Sequence, residues 1–361
     1  MECFELNVAD YHNKLTDFFV KVPRIDWRHI KSFTNNTGIL QHAKFNIPNY
    51  HYGYCLDDNC RALLLTLMAS EMTEEPFHED LAKTYLSFIL YAQEENGWFR
   101  NFMSYDLSFL ESIGSEDSMG RTIWTLGYLL AHDRFSLYHP ISKEIFDKIF
   151  NHLTTFRSIR AIAYTVLGLL YFIEKYPEKN IQSDLLDTLL QFLVKEYKSA
   201  KNENWKWFEE IISYDNAIIP LSLLKAGRQL NNQELVQIGL ESSIFLDKIL
   251  FRKGYLSTIG NIAWFKKNEQ LSEFGQQPLE VSSIILWYQE LMLHKQELNC
   301  TEKIKLAFLW FLGFNDKEES LFNFENMACY DGLEPYGTNK NQGAESNISF
   351  WMSYVHLYNL K

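Results

Sequence analysis

The chain has 361 residues, of which 47% are apolar and 22% charged, and carries a formal net charge of −12. That length allows one large domain or about two, with ample chain to bury a core, while an acidic balance without a basic patch argues against nucleic acid as a partner. No run approaches the roughly 18 apolar residues of a membrane span, and MECFELNVADYHNKL lacks the basic and apolar regions of a signal peptide, so a cytoplasmic protein with no membrane association is expected.

Residues 1–24 read as a helical lead-in and 25–361 as one helical domain. The first strong element is HYGYCLDDNCRALLLTLM, residues 51–68, where an aromatic loop runs through two carboxylates into an apolar helix. Asp57, Asp58 or Asn59 can cap that helix and complement its dipole. One residue is enough for a cap, and Asp57-Asp58-Asn59-x-Arg61 is richer than a cap needs; Tyr54 stands beside it as a stacking neighbour. The amphipathic helix DLAKTYLSFILYAQ follows, then the loop ENGWFRNFMSYDLSFLE, whose Trp98, Phe99 and Tyr105 suit a stacking wall.

A second polar cluster, SEDSMGRTIWTLGYLL from Ser115, supplies Glu116, Asp117 and Arg121. The third, FRSIRAIAYTVLGLLY from Phe156, has no carboxylate, and its Arg157 and Arg160 suit rim partners or ligand clamps. SYDNAIIPLSLLKAG from Ser213 brings Tyr214, Asp215 and Asn216; QQPLEVSSIILWYQ from Gln276 brings Gln276, Gln277 and Glu280. Tyr330, Asp331 and Glu334 precede the last cluster, NQGAESNISFWMSY, with Asn341, Gln342 and Glu345. Amphipathic helices such as SDLLDTLLQFLVKEY and EKIKLAFLWFLGF lie between, and alternating strand patterns are scarce and short.

The six clusters start about 40 to 65 residues apart, the length of two helices and their loops. Six helical hairpins closed into a ring, an all-α (α/α)6 toroid, satisfy this spacing most economically. The cluster-bearing helices, apolar nearly all round, form the inner ring and the amphipathic ones the outer. Parallel inner helices put all six clusters at one end, where they converge on a funnel.

Such a rim suits carbohydrate. Glycoside hydrolysis needs two carboxylates flanking the scissile bond, one holding a proton and one ionised, and crowded, buried acids push one another's pKa values apart. The catalytic candidates are Asp58, Asp117, Asp215, Glu280 and Glu345. Amides and tyrosines at the rim bracket vicinal hydroxyls, and the 16% aromatic content gives flat faces for sugar rings. The five cysteines lack zinc spacing, the ten histidines lack ligand spacing, and no nucleotide-binding or serine-hydrolase motif occurs, so no metal and no cofactor are expected.

The segments 37–64, 99–128, 214–227, 276–283 and 330–350 together resemble the bacterial six-hairpin, glycosidase-like toroid domain that is found attached to, or encoded beside, glycosyltransferases and mannoside-processing enzymes. The resemblance spans about residues 25–355 and rests on Asp57-Asp58-Asn59-x-Arg61, Glu116-Asp117-Ser118-x-Gly120-Arg121, Tyr214-Asp215-Asn216, Gln276-Gln277-Pro278, Tyr330-Asp331-Gly332 and Asn341-Gln342-Gly343-Ala344-Glu345-Ser346. The chain departs at Cys60, where that family suggests alanine. The resemblance implies an oligosaccharide or glycan ligand and, as a partner, a glycosyltransferase encoded separately. Three readings remain open on the sequence: a glycoside hydrolase acting on a mannose- or glucose-containing oligosaccharide, with phosphorolysis or epimerisation on the same scaffold as variants of it; a non-catalytic glycan-binding or accessory module; and a structural toroid serving protein contacts.

Overall fold

The computed structural model describes residues 8–178, 180–294 and 298–360. Its inner helices are α3 (Leu56–Met72), α5 (Glu116–Ala131), α7 (Ile159–Lys175), α9 (Ile218–Gln229), α11 (Pro278–Leu293) and α13 (Ala344–Tyr358). Each packs against the next and α13 packs against α3, which closes the ring. The outer helices α4 (Phe77–Ala92), α6 (His139–Ile149), α8 (Asn180–Ala200), α10 (Gln233–Leu250) and α12 (Cys300–Leu309) each lie on the inner helix before them.

The sixth outer place is filled from the other end of the chain. Helix α1 (Val8–Lys21) packs on α12, and the short α2 (Arg28–Phe33) packs on α13. Phe18 of α1 meets Phe308, Phe322, Phe350 and Tyr354 edge-on with ring centroids 5.2–6.2 Å apart, the preferred geometry for aromatic quadrupoles. The segment read as a lead-in thus supplies a wall of the ring.

Inner helices bury residues on all sides, as expected for elements sandwiched between the ring's centre and its outer layer. Helices α5 and α7 approach closest, because Gly127 and Gly168 face one another's backbone. A Cβ on Gly127 would strike the carbonyl oxygen of Gly168, and one on Gly168 that of Ile123.

Two kinds of connection separate the two ends of the ring. The turns after inner helices are short, such as residues 73–76 and 230–232. Those leading into inner helices are long, such as 93–115, 251–277 and 310–343, and they carry five two-stranded antiparallel ribbons. Of these, β1 (Ala43–Lys44) pairs with β2 (Ile47–Pro48), and β3 (Tyr54–Cys55) pairs with β4 (Phe102–Met103). All the elaboration therefore gathers at the N-terminal mouth of the inner helices.

Candidate active site

Neither aspartate of the first cluster caps α3. Asn101 Oδ1 accepts the N–H groups of Leu56 (3.0 Å) and Asp57 (3.3 Å), and Cys55 Sγ accepts that of Asp58 (3.4 Å). With the orphan donors of the first turn satisfied from elsewhere, both carboxylates are released to face other helices.

Two buried arginines then organise the funnel. Arg61 reaches Asp58 (3.0 Å) with one terminal nitrogen and Glu345 (2.9 Å) with the other, tying α3 to α13. Arg121 reaches Asp57 (3.0 Å) and Asp215 (3.7 Å), tying α5 to α3 and to the turn before α9. Tyr164 on α7 accepts from Arg121 (2.8 Å) through its hydroxyl, which in turn donates to Asp215. Asp117 accepts from Ser158 Oγ and from Tyr214 OH, both at 2.6 Å. Arg160 binds Glu209 (2.8 Å) and Asn216 Oδ1 (3.1 Å) and lies 4.6 Å from the Tyr214 ring. Five inner-helix entries are thus joined by charge-assisted bonds, and α11 is joined through Glu280.

Glu280 accepts the backbone N–H of Asp215. Asp215 has φ 43°, a left-handed conformation uncommon for a residue with a Cβ, and Glu280 locks it there. Burial, reinforced by the charge of Asp215, raises the Glu280 pKa to about 8. Burial likewise raises Asp58 to about 6, where Arg61 lowers it and Glu345 raises it. Two carboxyl groups at this rim therefore hold protons far above their ordinary range.

Below the rim lies a narrow cavity of about 10 Å³, the space of about one water, lined by Arg61, Leu64, Arg121, Trp124, Asp215 and by the small side chains of Ser282, Ser283 and Ser349, among others. Three buried polar atoms of this lining, Arg61 Nε, Asp215 Oδ1 and Ser349 Oγ, have no hydrogen-bond partner. A buried polar atom left unpaired costs stability. Here three of them share one cavity, and their chemistry, one donor, one acceptor and one hydroxyl, matches vicinal sugar hydroxyls.

The remaining sequence candidates fall into three groups. Glu345 and Asp57 reach the funnel, and Gln277 is half-buried at the N-cap of α11 without a side-chain cap bond. A second group is occupied in holding the rim together. Asn59 is fully buried, accepting from Ile39 N–H (3.1 Å) and donating to the Cys55 carbonyl (2.8 Å). Asn216 bridges Ser213 and Arg160; Gln276 joins Trp310, Asp316 and Glu273. Glu116 accepts the N–H groups of Arg157 and Ser158 at the entry to α7. Asp331 accepts that of Gly343, Asn341 that of Phe45, and Gln342 pairs with Asn326. The Tyr54 hydroxyl accepts from Asn35, and Tyr330 accepts from Asn323. The third group lies apart: Trp98 stacks on His152, 4.2 Å between centroids, beside the outer helices, and Glu334 is half-buried on β9 (Gly332–Glu334).

Tyr164, Trp124 and Ser349 were absent from the sequence candidates. Helical spacing holds the missing signal, because residues four apart share a face. Asp57/Arg61, Asp117/Arg121, Arg160/Tyr164 and Glu345/Ser349 repeat that interval on four inner helices. Extending each cluster by one turn finds the floor of the funnel.

No helix among the described residues is long and apolar enough to cross a membrane. No family model matches the chain, and no curated protein sequence matches it. Solved structures do match. A cellobiose 2-epimerase from Spirochaeta thermophila superposes with a TM-score of 0.73 at 10% identity, over 98% of this chain and 97% of that one. A sugar epimerase from a ruminal bacterium gives 0.69 at 14% identity, over 96% and 98%. An inactive variant of an α-1,6-mannanase of Salegentibacter sp. HEL1_6, in complex with α-1,6-mannotetrose, gives 0.65 at 11% identity, over 98% and 100%. The chain is an (α/α)6 toroid, sharing along almost its entire length the fold of these sugar epimerases and mannanases.

Proposed function

We propose that the protein is a carbohydrate-active enzyme, a glycoside hydrolase acting on a mannose- or glucose-containing oligosaccharide in the toroid funnel. The observation that carries this reading is Asp215. Its Oδ2 is fixed by Tyr164 and Arg121 while its Oδ1 is buried, unpartnered and faces the cavity. Asp215 then acts on the sugar or its attacking water, and Asp58, on the opposite inner helix, holds the proton for the leaving oxygen up to a pH of about 6. Glu280 positions Asp215, and Arg61 and Arg121 hold the four acids they bridge in place. The solved mannanase whose two adjacent aspartates were replaced is an inactive variant. Asp57-Asp58 is the adjacent aspartate pair of this rim.

The test is a panel of manno- and gluco-oligosaccharides with chromatography of the products, with and without phosphate. Released sugar is expected, lost in Asp58→Asn while calorimetric binding persists. Turnover to an epimerised sugar without cleavage would assign the funnel to the chemistry of the epimerase neighbours. Saturable binding with no product would leave a glycan-binding module, a reading favoured by the ion pairs that already engage Asp57, Asp58, Asp215 and Glu345. A separately encoded glycosyltransferase as partner rests on the sequence resemblance alone.

A further inference from the structure

Among the described residues, Ser349 is the one buried hydroxyl of an inner helix that has no hydrogen-bond partner. Thr66, Thr122, Thr165 and Ser353 each donate to the backbone carbonyl four residues before them, at 2.7–2.8 Å. Ser282 and Ser283, which line the same cavity as Ser349, donate to the carbonyls of Leu279 (2.9 Å) and Glu280 (3.1 Å). Two more unpartnered atoms belong to that lining, Arg61 Nε and Asp215 Oδ1. The other polar atoms of both side chains are taken: the terminal nitrogens of Arg61 by Asp58 and Glu345, and Asp215 Oδ2 by Tyr164 and Arg121.

The layer beneath is apolar. Leu64, Trp124, Leu286 and Met352 also line the cavity, each three residues further along its helix than Arg61, Arg121, Ser283 and Ser349. Three residues advance a helix by about 4.5 Å, so this layer closes the cavity on the side away from the mouth. A donor, an acceptor and a hydroxyl therefore share about 10 Å³. Their chemistry answers a water as well as a sugar hydroxyl, and only a water fits that space. Buried waters make about three hydrogen bonds to groups otherwise unpaired. Here the three are acceptance from Arg61 Nε, donation to Asp215 Oδ1 and a bond with the Ser349 hydroxyl.

We infer that this cavity seats the attacking water of the hydrolysis, so that the protein cleaves with inversion of the anomeric configuration. This rests on reading the funnel as that of a glycoside hydrolase. A carboxylate that acts as nucleophile has to bond the anomeric carbon itself, whereas one that acts as base has only to reach a water. Asp215 is held for the second task. Its side chain is 2% exposed, its N–H is locked by Glu280, and its Oδ2 is tied to Tyr164 and Arg121, so it does not swing out to a sugar. With the apolar layer behind it, the water is approached from the mouth. Its oxygen bonds to the anomeric carbon as the glycosidic C–O bond breaks, its proton passes to Asp215 Oδ1, and the leaving oxygen takes the proton that Asp58 holds. Arg61 and Ser349 position the water and are unchanged by the step.

The experiment follows cleavage of mannose- and glucose-based oligosaccharides of known linkage by proton NMR, early enough to see the released sugar before it mutarotates. The first-formed reducing end is expected to carry the anomer opposite to that of the cleaved linkage. Ser349→Ala removes a hydroxyl bonded to no protein group, and an unchanged melting temperature confirms the fold. It should lower kcat about tenfold with KM unchanged, the pattern of a misplaced reactant. With methanol present, the same variant should form a methyl glycoside that the wild-type protein does not, because the widened cavity admits methanol. Retention of the anomer, or a methyl glycoside from the wild-type protein, overturns the seated water and leaves the hydrolase reading standing. An unchanged kcat in Ser349→Ala does the same. Absence of cleavage of every substrate overturns the hydrolase reading and the seated water together.

Discussion

The two ends of the same six helices are built on different physical terms. At the N-terminal end, long loops meet over carboxylates and arginines that are almost wholly buried, and three polar atoms are left without partners. At the C-terminal end, short turns close the ring and charged groups pair with one another, some buried, such as Glu290, and some half exposed, such as Glu71. There Arg228 grips Glu290 with two bonds of 2.7 and 3.0 Å, His294 adds a third at 3.2 Å, and Glu71 meets His132 at 2.8 Å. Unpartnered buried atoms occur at both ends, His78 and His356 among them at the far one, but at the rim three of them belong to residues that line one cavity together with bridged carboxylates and arginines. The helix dipoles reinforce the asymmetry, since carboxylates are favoured at helix N-termini and cations at C-termini.

The largest expected effect breaks the comparison at a single atom. Asp215→Asn removes charge from the free cavity oxygen and should lower kcat on the substrate oligosaccharide by about 10³-fold, within the range for a general acid or base. The equivalent change at the far end, Glu290→Gln, should leave kcat within about twofold. Equal losses in steady-state assays of the two variants would mean that the rim's chemistry is structural.

Next in size is the stability carried by the two arginines. Arg61→Met leaves Asp58 and Glu345 facing one another, with Asp58 buried, and should cost about 3–5 kcal/mol in urea unfolding. Arg228→Met removes a guanidinium that is 39% exposed, but its partner Glu290 is buried and keeps only His294, so about 1–3 kcal/mol is expected. A smaller loss at Arg61 than at Arg228 would reverse the assignment of which end is strained.

Much of this asymmetry is legible in the residues themselves. The six clusters sit where helices begin, and their regular spacing predicts the closed ring. What the residues do not show is which polar groups are consumed by the rim. Asn59, Asn216 and Gln276 read as sugar ligands, yet each is fully engaged by backbone or side-chain partners distant in sequence. Trp98 reads as part of the funnel because its loop precedes the second cluster, but a segment of that length also reaches His152 on the outer layer. Tyr164 was invisible for the opposite reason. Within an apolar helix a tyrosine reads as core, and only Arg121 and Asp215 from other helices give its hydroxyl a function.

The rim also predicts how stability depends on pH. Glu280 holds its proton to about pH 8 when folded and to near 4.5 when unfolded. The folded state therefore binds the proton more tightly, and stability falls as pH rises from 4.5 through 8. Asp58 adds the same trend from 3.8 to about 6. Glu280→Gln keeps an acceptor for the Asp215 N–H and loses the titration, so unfolding free energy should flatten across this window by on the order of a few kcal/mol. The Asp58 trend should remain. An unchanged slope would mean that Glu280 is ionised in its place beside Asp215.

The smallest expected effect is at the opposite end. Burial lowers the His132 pKa, but the bond to Glu71 and that to the Tyr128 carbonyl outweigh it and hold the ring above its ordinary 6.5. A cation stabilised in the fold contributes below pH 6.5 and is lost as pH rises through the folded value. Glu71 is 48% exposed, which caps the gain at the scale of surface pairs, about 0.5 kcal/mol. His132→Gln should lose that amount at pH 5.5, nothing at pH 9, and no activity at either. The slope has the same sign as at the rim but a far smaller size, because water reaches the pair. Glu71→Gln should remove the same half kilocalorie, and a larger loss in calorimetric melting would mean that water is excluded from this end as it is from the rim.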